Sequence, residues 1–174
     1  IKSVSNQSLM TEKQKNIINS AVSLFATQGF HATSTRSIAQ KAGVSEGLIF
    51  RHFKNKEGLL EKILEITIEK FKVLMKPIET LTHPKVILKH ILTIPLNTSD
   101  DYKKYIKFIQ GMRWQVNDER MNLFQIFYEK VFTSFKVLDY DDPETETQTF
   151  LMILEGAMSH ALRQNTKMNL LILD

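Results

Sequence analysis

The stretch TRSIAQKAGVSEGLIFRHF, residues 35–53, constrains the fold more than any other part of the chain. Its apolar residues fall at helical spacing on both sides of Gly43, which can adopt the left-handed backbone conformation that a tight turn requires. Ser45 is a favourable cap for the helix that follows. Two short helices joined by a glycine-bearing turn are typical of a helix-turn-helix unit, so the sequence predicts one here.

Helical patterns continue on both sides of this unit. Thr11 begins TEKQ, a capping box that opens a first helix, and Gly29 is a suitable residue to end that helix. Asn55 is the expected cap of a long helix, KEGLLEKILEITIEKFKVLMK, which Pro77 is expected to end.

The second half of the sequence predicts three or four more helices. Pro84 opens one that Pro95 is expected to close. SDDYKKYIKFIQGMRWQ begins with acidic residues, which suit the positive end of a helix dipole. Asn117 and the Asp142-Pro143 pair are expected to open the last two helices. Because no strand pattern or internal repeat is present, the predicted fold class is all-α.

Composition narrows the classes of protein that this chain can represent. It has 174 residues, 43% of them hydrophobic, which is enough for a sizeable core. No apolar run approaches the roughly 18 residues that cross a bilayer. No cysteine is present, which excludes disulfides and thiolate chemistry. We therefore expect a cytoplasmic protein with no membrane segment and no cofactor.

The positive charge of the chain, +4 in total, is concentrated in its first third. Residues 1–62 hold 9 Lys and Arg against 4 Asp and Glu, whereas residues 63–174 hold 14 against 15. A basic surplus around a helix-turn-helix stretch favours a polyanion partner, and double-stranded DNA is the polyanion that such units bind.

Helical spacing divides the second helix of the unit into two faces. If Ile49 and Phe53 point inward, the opposite side presents a surface that we name the recognition face. The recognition face consists of Gly47, Leu48, Phe50, Arg51 and Lys54. A glycine there lets the helix lie deep in a groove, and Arg51 can donate two hydrogen bonds to a guanine edge.

Polar residues flank this second helix, where the phosphates of a bound duplex are expected to pass. They are Thr35, His52, Lys54 and Lys56. Lys56 also begins the next helix, whose free backbone N–H groups favour an anion. The alternative interpretation of these residues is an ordinary helical core with solvated charges.

Residues 17–60 resemble the TetR family of bacterial transcriptional regulators. The resemblance is carried by LFATQGF, by TSTRSIAQKAGVS and by GLIFRHFKNKEGLL. It implies a helix-turn-helix DNA-binding domain over 11–55, a connecting helix over 56–76, and a helical dimerisation and effector domain over 77–174. Residues 1–10 are expected to be an N-terminal arm or an added segment.

This resemblance implies a set of DNA contacts. Positions that commonly touch DNA in the family correspond to Thr35, Arg36, Glu46, Gly47, Leu48, Phe50, Arg51, His52 and Lys56. Phe50 stands where tyrosine is common, so the hydroxyl that would bind a phosphate is missing. Arg51 stands where a second aromatic is frequent, which makes it a candidate for a base preference particular to this chain. Glu46 would repel phosphate and is expected to accept from cytosine or to stay solvated.

Apolar and aromatic residues in the second half fit either a plain core or an effector pocket with a few polar groups. The pocket candidates are Phe108, Met112, Arg113, Trp114, Phe124, Phe127, Tyr128 and Glu155. Glu155 lies in an apolar stretch and needs a partner there, for which Arg113 or a cationic ligand is a candidate. A small apolar or cationic effector is therefore one expectation.

Small residues make the last long helix thin over one turn. Gly156, Ser159 and His160 are the candidate dimer contacts in this section. The resemblance implies a homodimer formed by the helices at about 118–137 and 144–166; small residues alone fit packing within one chain equally well.

Enzyme chemistry finds little support in the sequence. The five histidines are scattered, no metal-binding spacing is present, and no glycine-rich phosphate loop occurs. The resemblance to the TetR family implies a homodimeric transcriptional repressor that binds a near-palindromic operator and is released by an effector. Two alternatives remain, which are an architectural or cell-cycle DNA-binding protein without an effector and a helical enzyme or adaptor.

Overall fold

The computed structural model describes residues 10–112, residue 115 and residues 125–164. Within these residues the chain forms eight α-helices and no strand, which confirms the all-α class. The helices are α1 (Glu12–Gln28), α2 (Thr35–Ala42), α3 (Glu46–Phe53), α4 (Lys56–Glu79), α5 (Pro84–Asn97), α6 (Asp100–Met112), α7 (Gln125–Val137) and α8 (Pro143–Gln164).

The described residues form two compact units. The first contains residues 10–70, 104–112 and 115, and the second contains 71–103 and 125–164. Helices α4 and α6 each contribute to both units. Within the first unit the C-terminal half of α6 packs on α1, with the Phe108 ring centroid 6.4 Å from that of Phe25. The domain boundary at residue 77 remains a prediction.

Helix α1 begins and ends where the sequence predicts. The backbone N–H of Thr11 donates to Oε1 of Gln14 at 2.9 Å, and the N–H of Gln14 donates back to the Thr11 hydroxyl at 3.3 Å. Gly29 ends the helix with φ of 85°, and its N–H donates to the carbonyl of Phe25 at 3.0 Å. The helix buries its apolar side, including Phe25, in the core of the first unit.

The turn between α2 and α3 confirms the predicted helix-turn-helix geometry. Gly43 has φ of 66° and ψ of 36°, a left-handed conformation that costs glycine little. Its N–H donates to the carbonyl of Gln40 at 3.3 Å. Ile49 and Phe53 are both buried, so α3 packs by its predicted inner side.

Two prolines lie inside the last turns of their helices, which corrects the expectation that they end them. The side chain of Asn55 accepts from Gly58 N at 2.7 Å at the start of α4, as predicted, but the helix continues through Pro77 to Glu79. Helix α5 likewise continues through Pro95 to its C-cap at Thr98. A proline this close to a helix end removes a single backbone donor, and the chain tolerates that loss.

The second unit is built around α5, α7 and α8, which bury Ile91, Val131 and Leu154. Asp142 caps α8, because its carboxylate accepts from Thr145 N at 3.1 Å and from the Thr145 hydroxyl at 2.6 Å. These hydrogen bonds hold the pKa of Asp142 below its ordinary value. The expected cap at Asn117 lies outside the described residues.

Candidate DNA interface

The recognition face lies open on the surface of the first unit. Gly47 is exposed, and a Cβ placed on it would meet no atom within 4 Å. Arg51 is exposed, Phe50 is 47% exposed, and Leu48 is half-buried. Helical spacing therefore predicted the placement of these side chains, while their contacts with DNA remain a prediction.

Two arginines of the helix-turn-helix unit carry unpaired cations. Arg36, in the first turn of α2, and Arg51, on α3, are exposed and have no hydrogen-bond partner within the described part of the chain. A guanidinium carries five donors in a planar fork that matches phosphate and guanine acceptors. Both side chains are therefore available to a duplex.

The first residues of α2 and α3 are joined by a hydrogen bond. The hydroxyl of Thr35 donates to Oε1 of Glu46 at 2.5 Å, and both side chains are half-buried. Because this bond uses the only hydroxyl hydrogen, the predicted phosphate contact of Thr35 is restricted to its backbone N–H at the start of α2. The same bond holds the carboxylate of Glu46 in place.

Lys56 makes contacts within the protein that the sequence did not predict. Its Nζ donates to the carbonyls of Phe30 at 2.9 Å and Thr33 at 3.0 Å, and it lies 4.4 Å from the centroid of the Phe30 ring. An ammonium group has three donors, so at most one remains for the expected phosphate contact. Lys56 therefore joins the start of α4 to the connection between α1 and α2.

The backbone of Phe30 links the same connection to the end of α6. Its N–H donates to Oε1 of Gln115 at 3.0 Å, and Nε2 of Gln115 donates to the carbonyl of Gly111 at 3.0 Å. The Phe30 ring packs on Phe25 with 5.2 Å between centroids. Phe30 and Gln115 are 85 positions apart, so no local sequence pattern could have paired them.

His52, a predicted phosphate contact, is held against the start of α1. Its Nδ1 lies 3.3 Å from Nε2 of Gln14, and its ring meets Phe53 edge-on with 6.2 Å between centroids. The side chain is exposed. The sequence did not predict this contact, because it joins residues 38 positions apart.

Lys54 follows α3 with a backbone conformation that is unfavourable for a residue with a side chain. Its φ is 69° and its ψ is −52°, and the N–H of Asn55 donates to the carbonyl of Phe53 at 2.9 Å across it. This is a three-residue γ-turn of the strained, positive-φ kind. The turn places Lys54, whose side chain is exposed, between α3 and α4.

Replacing Lys54 by glycine should stabilise the protein and weaken DNA binding at the same time. Relief of the positive φ should raise the free energy of unfolding by about 1 kcal/mol, a gain of roughly 2–4 °C in Tm. Loss of the cation should lower affinity for a duplex. Asp139→Gly is the matched control for the relief of backbone strain, because Asp139, in the turn after α7, also has a positive φ of 60°. A lower Tm for Lys54→Gly would show that the turn is not strained.

Sequence comparisons place this site within a family. The family model for bacterial regulatory proteins of the tetR family matches residues 17–63. The HTH-type transcriptional regulator YvkB of Bacillus subtilis (strain 168) is 30% identical over 169 residues, a match that covers 88% of this chain and 85% of YvkB.

The chain belongs to the tetR family. A second relative from the same organism, the HTH-type transcriptional regulator YerO, is 32% identical over 131 residues. That match covers 74% of this chain but spans only 45% of the length of YerO.

Solved structures resemble this TetR-family regulator over most of its length. AibR in complex with isovaleryl coenzyme A and operator DNA superposes with a TM-score of 0.68 at 16% identity, covering 84% of this chain and 86% of AibR. The fatty acid degradation regulator FadR from Bacillus halodurans gives a TM-score of 0.61 at 19% identity, covering 87% of this chain and 89% of FadR. At these identities the likeness establishes the fold.

The residues predicted to line an effector pocket divide between the two units of this TetR-family regulator. Phe108 and Met112 are fully buried in the first unit, whereas Phe127 is buried in the second. Glu155, also in the second unit, is half-buried and has an interaction partner. The other candidates, Arg113, Trp114 and Phe124, lie outside the described residues.

Tyr128, the remaining pocket candidate, already has a partner for its hydroxyl. It donates a hydrogen bond to Oε2 of Glu144, which raises the pKa of Tyr128 to about 12. Its ring stacks on Phe132 with 6.0 Å between centroids. Tyr128 therefore connects α7 to the first turn of α8 in this family member.

The predicted dimer contacts lie along one side of α8. Gly156 and His160 are exposed, and Ser159 is half-buried. Met152 and Ile153 on the same helix are also exposed, by 73% and 59%, and the dimer contacts themselves remain a prediction. Met152 and Ile153 precede Gly156 by four and three residues, a spacing that places them on the same side of the helix as Gly156.

The described ranges hold neither a membrane-spanning helix nor a cluster of metal ligands. Among these residues no helix combines the length and apolar character needed to cross a bilayer. Nor does this part of the TetR-family regulator contain a group of histidines and carboxylates that could hold a metal ion.

Proposed function

We propose that this protein is a homodimeric repressor that reads a near-palindromic operator through α3 and leaves it when an effector binds. The observation that carries the proposal is the open recognition face, where a side-chain-free Gly47 lies beside an unpaired, exposed Arg51. A helix with this surface can enter a major groove and present two donors to a guanine.

Exposed apolar side chains on α8 support the dimer. Met152 and Ile153 lie near the open backbone of Gly156, and a second copy of the helix would remove them from water. A dimer of this kind would bring two α3 helices to half-sites about one helical turn, roughly 34–36 Å, apart. The same geometry makes the operator near-palindromic.

The chemistry of the effector is proposed from the neighbours in structure. AibR was solved with isovaleryl coenzyme A, and FadR is named a regulator of fatty acid degradation. We therefore extend the expected apolar effector to acyl-coenzyme A thioesters. Such a ligand would favour a dimer geometry in which the two α3 helices no longer match successive grooves.

Arg51→Ala should reduce affinity for the operator about tenfold or more and relax preference at one base pair of each half-site, because a bidentate guanine contact is lost. Inverted repeats upstream of the gene and its neighbours supply the test duplexes. Binding measured by fluorescence anisotropy, at several salt concentrations, gives affinity and salt slope together.

Lys85→Ala is the matched control for Arg51→Ala. It removes one exposed positive charge from α5, so it should leave sequence preference unchanged. Equal affinities for wild type and Arg51→Ala on every duplex would contradict the proposed interface. Failure of isovaleryl coenzyme A and longer thioesters to release DNA would favour the alternative of a DNA-binding protein without such an effector.

A further inference from the structure

We infer that Gln14, which lies on α1 and outside the recognition helix, is a positioning residue for DNA binding. It fixes the His52 ring in the neutral tautomer that carries its proton on Nε2, where a phosphate oxygen can accept it. The inference rests on the proposed DNA-binding function and names the chemistry of one contact within it.

The capping box of α1 determines which way the amide of Gln14 faces. Its Oε1 accepts from the backbone N–H of Thr11 at 2.9 Å and lies 3.2 Å from the Thr11 hydroxyl. A backbone N–H requires an acceptor, and the amide oxygen is the only acceptor that the Gln14 side chain has. The NH₂ group is therefore forced to the other side of the amide.

That NH₂ group lies 3.3 Å from Nδ1 of His52. An amide nitrogen donates and cannot accept, so Nδ1 must be the acceptor and must carry no proton. In the neutral imidazole the single ring proton then resides on Nε2. The capping box of α1 thus determines the tautomer of His52, which lies 38 positions from Gln14 in the sequence.

The remaining ring nitrogen is available to DNA. His52 is exposed, and its Nε2 has no hydrogen-bond partner within the described ranges. A neutral N–H donor strengthens binding to phosphate without releasing a counterion. This contact should therefore add affinity while leaving the salt dependence unchanged, unlike a contact made by lysine or arginine.

Nitrogen-15 NMR of the full-length protein tests the tautomer without DNA. Wild type should show an unprotonated Nδ1 and a protonated Nε2 at His52. Gln14→Glu keeps an acceptor for the Thr11 N–H, so the cap survives. The second carboxylate oxygen then faces Nδ1 of His52 in place of the NH₂ group, and because that oxygen only accepts, Nδ1 should become protonated. The exposed His83 is the internal control and should not change. A protonated Nδ1 in wild type, or an unchanged ring in Gln14→Glu, overturns the inference.

A double-mutant cycle tests the role in binding, with a short random-sequence duplex at low salt as the probe. His52→Ala should lower affinity about tenfold with the salt slope unchanged, because the lost hydrogen bond is to a charged acceptor but comes from a neutral donor. Lys54→Ala, the charged control, should reduce the slope by about 0.9. His52→Gln, which retains an N–H donor, should recover part of the affinity.

Gln14→Glu adds a negative charge, which weakens binding by itself, and the cycle separates that effect from the tautomer. Gln14→Glu should cost more affinity in wild type than in the His52→Ala background. If wild type binds the duplex but the affinity losses of Gln14→Glu and His52→Ala are additive, only the role of Gln14 is contradicted. A wild-type protein that binds no duplex overturns the proposed DNA-binding function itself, whatever tautomer NMR reports.

Discussion

Phe108→Ala is expected to lower the free energy of unfolding by about 3–5 kcal/mol, the range for truncating a buried aromatic. Phe108 is 0% exposed, and its ring lies 6.4 Å from that of Phe25 on α1. A Cβ on Gly111, in the next turn of α6, would lie only 3.0 Å from the carbonyl oxygen of Ala26, so the two helices approach closely and cannot easily close the cavity.

Hydrogen exchange should show that this loss of stability is localised in the first unit. Phe108→Ala should speed exchange in α1, because Phe108 belongs to the core of the first unit. Phe127→Ala is the matched control, since it truncates a ring that is 1% exposed in the second unit and should affect α7 and α8 first. If Phe108→Ala left α1 protected and altered only effector binding, the pocket role expected from the sequence would be favoured over the core role.

Lys56→Met is expected to lower the free energy of unfolding by about 2–3 kcal/mol, because charge-assisted hydrogen bonds are lost from two carbonyls. Phe30 and Thr33, which bear those carbonyls, are 7% and 1% exposed, so water replaces the ammonium poorly. Methionine retains most of the alkyl chain that covers the Phe30 ring. The variant therefore removes the donors with little change in packing volume.

Urea unfolding and duplex binding, measured on the same variant, separate a structural role of Lys56 from a phosphate contact. A structural role lowers stability and leaves the salt slope of DNA binding close to that of wild type. A phosphate contact alone leaves stability unchanged and reduces the slope by about 0.9. Lys62→Met is the control, because Lys62 on the same helix pairs with Glu65 at the surface, a contact worth little.

Features that depend on neighbouring residues could be predicted from the sequence. The capping box at Thr11, the left-handed turn at Gly43 and the proline start of α8 involve residues within a few positions of one another. The inward side of α3 follows from helical spacing alone, so Ile49 is buried and Gly47 is exposed as expected. The helix ends predicted at Pro77 and Pro95 lie a short distance before the observed ends, because a terminal turn can lose one hydrogen bond and persist.

Features that depend on distant residues could not be predicted. Lys56 reaches a carbonyl 26 positions away, and Gln115 reaches an N–H 85 positions away. Lys56 is predicted from its residue type to contact phosphate, and no pattern near Gln115 indicates which group its side chain binds. A lysine and a glutamine carry donors that suit many acceptors, so composition alone does not determine which acceptor the fold provides.

By itself the sequence determined the helices, the turn that joins α2 to α3, and the side of α3 that faces outward, because backbone geometry repeats over a few residues and each signal lies within one turn. Only the tertiary structure decided which cations and donors on that surface remain available. It engages Lys56 with carbonyls, Thr35 with Glu46, and His52 with Gln14, and leaves Arg51 open. The reason is that a hydrogen-bonding group is satisfied by whichever partner the packed chain brings within about 3 Å, and that proximity is a property of the fold as a whole.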